Sequence, residues 1–208
     1  QGQSKDKILF LTYTNHICQN GELFRIQNIV NKFREMNKTK ESSQIQEFIL
    51  FADPLTSKNY RKLRDYNSIY NYFDQDCDKK AKEISTVIFN QWKELSLKNK
   101  EEMLTSDGFS LWSYLKYVFQ VLYSKEFLYL LALYYELFKK IIQEEKVKAI
   151  VLTGQSSLFD KCAIAAARNT RRPVFRIQHG IGEGVVPPDG SGDIYKLVFS
   201  DSVKKALI

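Results

Sequence analysis

The residues whose types and spacing are best suited to chemistry are Gln178, His179 and Gly180, which follow the apolar stretch Val174 to Ile177 and open a loop carrying Gly182 and Gly184. An imidazole changes its charge near neutral pH, so His179 has the chemistry of a general base. The same residues also read as a hydrogen-bonded loop histidine in a glycine turn. Position alone does not separate the two.

The elements that would hold His179 are legible around it. Ala149 to Thr153 is an apolar run ending at Gly154, the pattern of a buried parallel strand. Ser157 with Asp160 three positions on forms an S-x-x-D cap for a following helix. Ala163, Ala165, Ala166 and Ala167 suit that helix to lying close on a sheet, and Pro173 opens the next strand, Val174 to Ile177. The result is a β-α-β unit. In open parallel sheets ligands collect beyond the carboxyl ends of the strands, which is where Gln178 and His179 fall.

Further strands are predicted at Lys7 to Tyr13, Gln46 to Phe51 and Ile194 to Phe199. A helix with Leu23, Ile26, Ile29, Val30 and Phe33 on one face follows the first of these. The chain lacks a G-x-G-x-x-G, which disfavours a dehydrogenase. The fold class expected is α/β, a Rossmann-like open parallel sheet in one domain over residues 1–208, with a helical, aromatic-rich insertion at about 55–146. Within it, Phe127 to Tyr135 is apolar but flanked by Lys125, Glu126, Glu136, Lys139 and Lys140. A spanning helix needs about 20 predominantly apolar residues, so this stretch does not cross a bilayer. It reads as buried helices, as a surface that meets lipid, or as an oligomer contact.

A hydrophobic content of 44% excludes a disordered chain. Three widely spaced cysteines, Cys18, Cys77 and Cys162, point to a reducing compartment and against zinc. The polar start, Gln1 to Ser4, predicts no signal peptide, and the expected location is cytoplasmic. The formal charge is +7, divided as +1 for residues 1–54, +2 for 55–146 and +4 for 147–208. The excess gathers at Arg168, Arg171, Arg172 and Arg176, where it suits a phosphorylated ligand, with Arg172 and Arg176 as anion-binding candidates. No nucleic-acid-binding motif accompanies it, and nucleic acid is not an expected partner.

A strand ending in Q-H-G, preceded by a capped Ala-rich helix and a strand ending near T-G, resembles the amino-terminal domain of GT-B glycosyltransferases of cell-surface polysaccharide biosynthesis. The CDP-glycerol glycerophosphotransferases, which carry W-H-G in that loop, are related. The closing segment from Asp193 to Leu207 resembles the strand and helix with which such domains end. The resemblance covers the two ends of the chain better than its middle, and Gln178 stands where the relatives have tryptophan.

The resemblance implies His179 as catalytic base. It also implies that the loop after the first strand, with Thr14, Asn15, His16 and Gly21, faces the acceptor. Gly154, Gln155, Ser156, Gln178 and Gly180 complete the substrate-binding candidates, with helix amides near Gln155 to Ser157 aiding a diphosphate. No cofactor and no metal are expected, and there is no D-x-D. The donor-binding second domain is absent from these residues, and the last helix, Val203 to Ile208, stops without a natural ending. The partners implied are a nucleotide-sugar donor, a polysaccharide or lipid-linked acceptor and a membrane surface. A glycerophosphotransferase, a sugar-nucleotide epimerase and a non-catalytic module that binds a phosphorylated ligand or scaffolds a complex are the alternatives.

Overall fold

The computed structural model describes residues 5–18, 22–23, 25–38, 45–52, 67–154, 157–177 and 194–197. They divide into two compact units, one of residues 1–73 with 137–208 and one of residues 74–136.

The first unit is an α/β unit built on a parallel sheet. In chain order it contains β1 (Asp6–Thr12), α1 (Gln27–Lys38), β2 (Ile45–Phe51) and the two-residue β3 (Asn67–Ser68). After the helical unit come β6 (Val147–Leu152), α6 (Leu158–Asn169), β7 (Val174–Ile177) and β8 (Ile194–Leu197). The strands lie side by side as β3-β2-β1-β6-β7-β8, and every pairing is parallel. Counting only the strands of this sheet, that is the doubly wound order 3-2-1-4-5-6. The described architecture is therefore Rossmann-like.

Both faces of the sheet are buried, which is why β1, β2 and β6 read as near-continuous apolar runs. On one face Phe10, Ile49, Phe51, Val151 and Ile177 form a core with Leu23, Ile26 and Val30, flanked by Ile29 and Phe33. The five apolar positions expected on one helical face thus share one cluster, although Leu23 and Ile26 precede α1 itself. Leu9, Leu11, Leu50, Ile150 and Leu152 alternate onto the other face and are fully buried. Each such side chain contributes on the order of 1.5–3 kcal/mol by leaving water.

Parallel connections are right-handed. Since β1 to β2 steps one way across the sheet and β6 to β7 the other, α1 and α6 cover opposite faces. Helix α6 packs on β6 through small residues, with Ala163, Ala166 and Ala167 buried. Ala165, expected with them, is exposed because it falls on the outer side of the helix.

The second unit carries α2 (Gln75–Glu94), α3 (Leu97–Glu102), the hairpin strands β4 (Thr105–Ser106) and β5 (Phe109–Ser110), and α4 (Trp112–Leu122). It also takes the start of α5 (Lys125–Glu144), whose last eight residues belong to the first unit. Asp74 and Ser96 cap α2 and α3 by accepting from the Cys77 and Asn99 amides. Trp92 stacks on Tyr123 at 4.1 Å and on Phe119 at 5.9 Å. Among the described residues no helix is long and apolar enough to cross a membrane.

Candidate functional site

The sheet order reverses between β1 and β6, and at that switch point two connections leave the carboxyl edge together. The first follows β1. Tyr13 departs from the strand, and residues 14–16 close a 3-10 turn, with the His16 amide donating to the Tyr13 carbonyl at 3.0 Å. Ile17 then bridges to Leu23, and the Cys18 amide bonds the Glu22 carbonyl at 2.8 Å. The second connection follows β6 through Thr153 and Gly154 to the start of α6.

Helix α6 begins with the capping box expected from S-x-x-D. The Asp160 amide donates to Ser157 Oγ at 3.0 Å, and the Ser157 amide donates to Asp160 Oδ2 at 3.3 Å. The Tyr13 hydroxyl joins it from the other connection. It donates to Asp160 Oδ1 at 2.6 Å and lies 2.6 Å from Ser157 Oγ. Its ring meets Phe159 and His16 edge-on, at 6.3 and 5.4 Å between centroids. The apolar-to-polar pattern carried no sign of this contact, because Tyr13 sits at the end of an apolar run and reads as its last strand residue.

The structure brings some of the expected site residues together. Thr14 is half-buried, Asn15 exposed and Gly154 half-buried, all at the carboxyl edge of β1 and β6. His16 differs. It is 4% exposed, and its Nδ1 lies 3.2 Å from the buried Thr12 Oγ1, so its ring is part of the packing under the loop. On the connection after β6, the buried Thr153 Oγ1 has no hydrogen-bond partner among the described residues. A buried hydroxyl left unpaired is uncommon.

The arginines fall elsewhere. Arg172 stands with Arg168 and Arg171 at the amino edge of the sheet, where α6 turns into β7. Arg176 lies within β7 and is 6% exposed, opposite Leu152 and Lys196 in register. Gly21, Gln155, Ser156, Gln178, His179 and Gly180 lie outside the described residues.

Other features are structural. A cleft of about 590 Å³ lies in the helical unit against Ser85, Thr86, Tyr129 and Leu130. Its walls are mainly apolar, and Lys82, Ser85, Thr86 and Tyr129 on its lining are bonded within the same unit. The Ser85 hydroxyl donates to the Lys82 carbonyl, and Tyr129 donates to Asp78 at 2.7 Å. That bond, with burial, pushes the Tyr129 phenol up to about 12, while Lys82 and then Tyr129 hold the Asp78 carboxyl below its usual range. In the first unit Glu145 pairs with Lys7 and accepts from the Tyr72 hydroxyl at 2.7 Å. Among the described residues no three His, Cys, Asp or Glu side chains converge on a metal-binding set.

No family model matches the chain, and no curated protein and no solved structure is significantly similar to it.

Proposed function

We propose that the chain is the acceptor-side, amino-terminal half of a metal-independent GT-B glycosyltransferase, with a helical, aromatic-rich insertion at about 55–146. The observation that carries this reading is the switch point: a 3-2-1-4-5-6 parallel sheet whose β1 and β6 connections meet at one carboxyl edge. Chain order adds to it, since β7 ends at Ile177 and Gln178 and His179 are the next residues in sequence.

In the proposed reaction a second domain holds the donor's phosphates. Neutral His179 takes the proton from an acceptor hydroxyl as its oxygen bonds the anomeric carbon. The bond from that carbon to the phosphate oxygen breaks, and the nucleotide leaves with the electron pair. Positive side chains and helix amides stabilise the departing charge. Thr14 and Asn15 lie at the carboxyl edge, where this reading puts the acceptor; the buried His16 holds the loop that carries them.

The test uses the protein together with its donor domain, native membranes and a panel of labelled UDP-, GDP-, CMP- and CDP-linked donors. Transfer of a sugar from one donor supports the reading. A transferred glycerophosphate or an isomerised free sugar nucleotide would instead indicate the glycerophosphotransferase or the epimerase.

One observation favours a second reading, a binding module without chemistry. At the crevice the Tyr13 hydroxyl, the Ser157 hydroxyl and the Asp160 carboxylate are bonded to one another. Absence of turnover with every donor, accompanied by saturable binding of one of them, would select it.

A peripheral position on the cytoplasmic membrane face is proposed on helix α4. Tyr114, Tyr117, Val118 and Val121 are exposed at helical spacing, forming an apolar stripe on that helix. From Gly108 to Lys125 the sequence has two lysines and no acidic residue. Such a helix suits an anionic lipid interface.

A further inference from the structure

The arginines at the amino edge of the sheet form a second feature, independent of the switch point. Arg168, Arg171 and Arg172 line a cleft of about 340 Å³ with Pro173 and Tyr195. Helix α6 runs from the capping box to this cleft, and its twelve residues separate the two ends by about 18 Å.

The end of α6 is closed on itself. The Arg172 amide donates to the Ala167 carbonyl at 2.8 Å and the Arg171 amide to the Arg168 carbonyl at 3.0 Å. The Thr170 hydroxyl covers the Ala166 and Ala167 carbonyls. This paired pattern is a Schellman ending, whose left-handed position belongs by preference to glycine. Here Arg171 occupies it, with φ of 55°. A β-carbon is strained in that conformation, and strained residues gather where a function holds them.

Charge points the same way. A helix carboxyl end carries about half a negative charge, which one cation compensates. Three guanidiniums stand here, and among the described residues none of them has an ion-pair partner. Among the described residues the buried Arg172 Nε also lacks a hydrogen-bond partner. Beside them the Tyr195 ring, 57% exposed, stacks on Phe175 at 5.2 Å between centroids. Guanidinium forks match the geometry of phosphate oxygens, and the cleft has the size of a small-molecule site.

We infer that this cleft is an anion site, distinct from the switch point, that takes the phosphate or diphosphate group of a small ligand through Arg168, Arg171 and Arg172. The phosphate could belong to a soluble ester or to a lipid headgroup, and both sources present the same oxygens.

The test titrates the whole chain with inorganic pyrophosphate in a calorimeter, and with phosphatidylcholine vesicles with and without phosphatidic acid. Arg171→Gly and Arg172→Gln are measured alongside. Arg171→Gly relieves the left-handed strain, so its thermal midpoint should equal or exceed the wild-type value, and lost binding cannot be ascribed to unfolding. The expected result is saturable binding that weakens about tenfold or more in each variant, the scale of one lost charge-assisted hydrogen bond. Pyrophosphate binding that weakens so identifies a soluble source. Binding only to phosphatidic acid vesicles, weakened in the same variants, identifies the headgroup. Binding of neither probe, or binding as tight in both variants as in the wild type, overturns the site.

Discussion

The Tyr13 hydroxyl donates to Asp160 Oδ1 across 2.6 Å, tying the end of β1 to the first turn of α6 over 147 residues of chain. Since Asp160 is buried and Tyr13 half-buried, the bond works away from bulk water. Tyr13→Phe keeps the ring and removes the hydroxyl, so the bond to Asp160 and the contact with Ser157 Oγ are both lost and the carboxylate is left one donor short. Losing a partner of a buried group costs about 1–3 kcal/mol. Urea unfolding should show that loss in Tyr13→Phe, and the double variant with Asp160→Asn should fall short of the sum of the single effects.

Gly154 has little room for a side chain. A β-carbon there would come within 2.9 Å of Asp160 Oδ2, and that carboxylate is pinned by Tyr13 and by the Ser157 amide. Gly154→Ala should therefore destabilise by about 1–3 kcal/mol, the range of overpacking. In an Asp160→Ala background the obstacle is gone and the added cost should largely vanish. An equal cost in both backgrounds would place the strain elsewhere.

The group formed by Lys7, Tyr72 and Glu145 shapes stability at both ends of the pH scale. Burial works to raise the Glu145 pKa, but Lys7 and the Tyr72 hydroxyl outweigh it and hold the carboxyl below its ordinary 4.5. A depressed carboxyl contributes stability that is present above about pH 4.5 and lost as pH falls through the folded-state value. The Tyr72 phenol is raised well above its ordinary 10.0, by burial first and then by Glu145. Its contribution is present below about pH 10 and lost as pH rises beyond that. Urea midpoints followed across pH should lose their acid limb in Glu145→Gln and their alkaline limb in Tyr72→Phe.

Thiol reactivity should separate two cysteines. Burial pushes the Cys162 thiol up to about 12, so it stays protonated and shielded at pH 8. Cys18 is only partly buried. Timed alkylation of the native protein, read by mass spectrometry, should modify Cys18 well before Cys162. The reverse order would show that α6 opens from the sheet.

Much of this arrangement was legible where one local signal dominated. Pro173 and the apolar run after it bound β7 at Val174–Ile177, and S-x-x-D marked the start of α6, because both patterns act within a few residues. What was hidden depended on distance through the fold. Asn67–Ser68 is a strand only because it lies beside Leu50 and Phe51, and two polar residues carry no strand pattern of their own. Arg172 and His179 are close in sequence, yet β7 lies between them and carries the chain about 13 Å across the sheet. Arg168, Arg171 and Arg172 therefore collect at the amino edge, not beside the switch point. His16 reads in sequence either as a loop histidine packed on the following helix or, by the resemblance, as an acceptor-facing residue; it is buried, with its ring against Thr12.

The central proposal rests on one of the chain's two histidines. The most direct measurement compares sugar transfer by His179→Ala and His16→Ala in protein that includes its donor domain, at matched folded fraction. If His179 is the base, its loss lowers the rate by about 10²-fold or more, while His16→Ala costs stability and changes the rate per folded molecule far less. Transfer by His179→Ala at the wild-type rate would contradict the account.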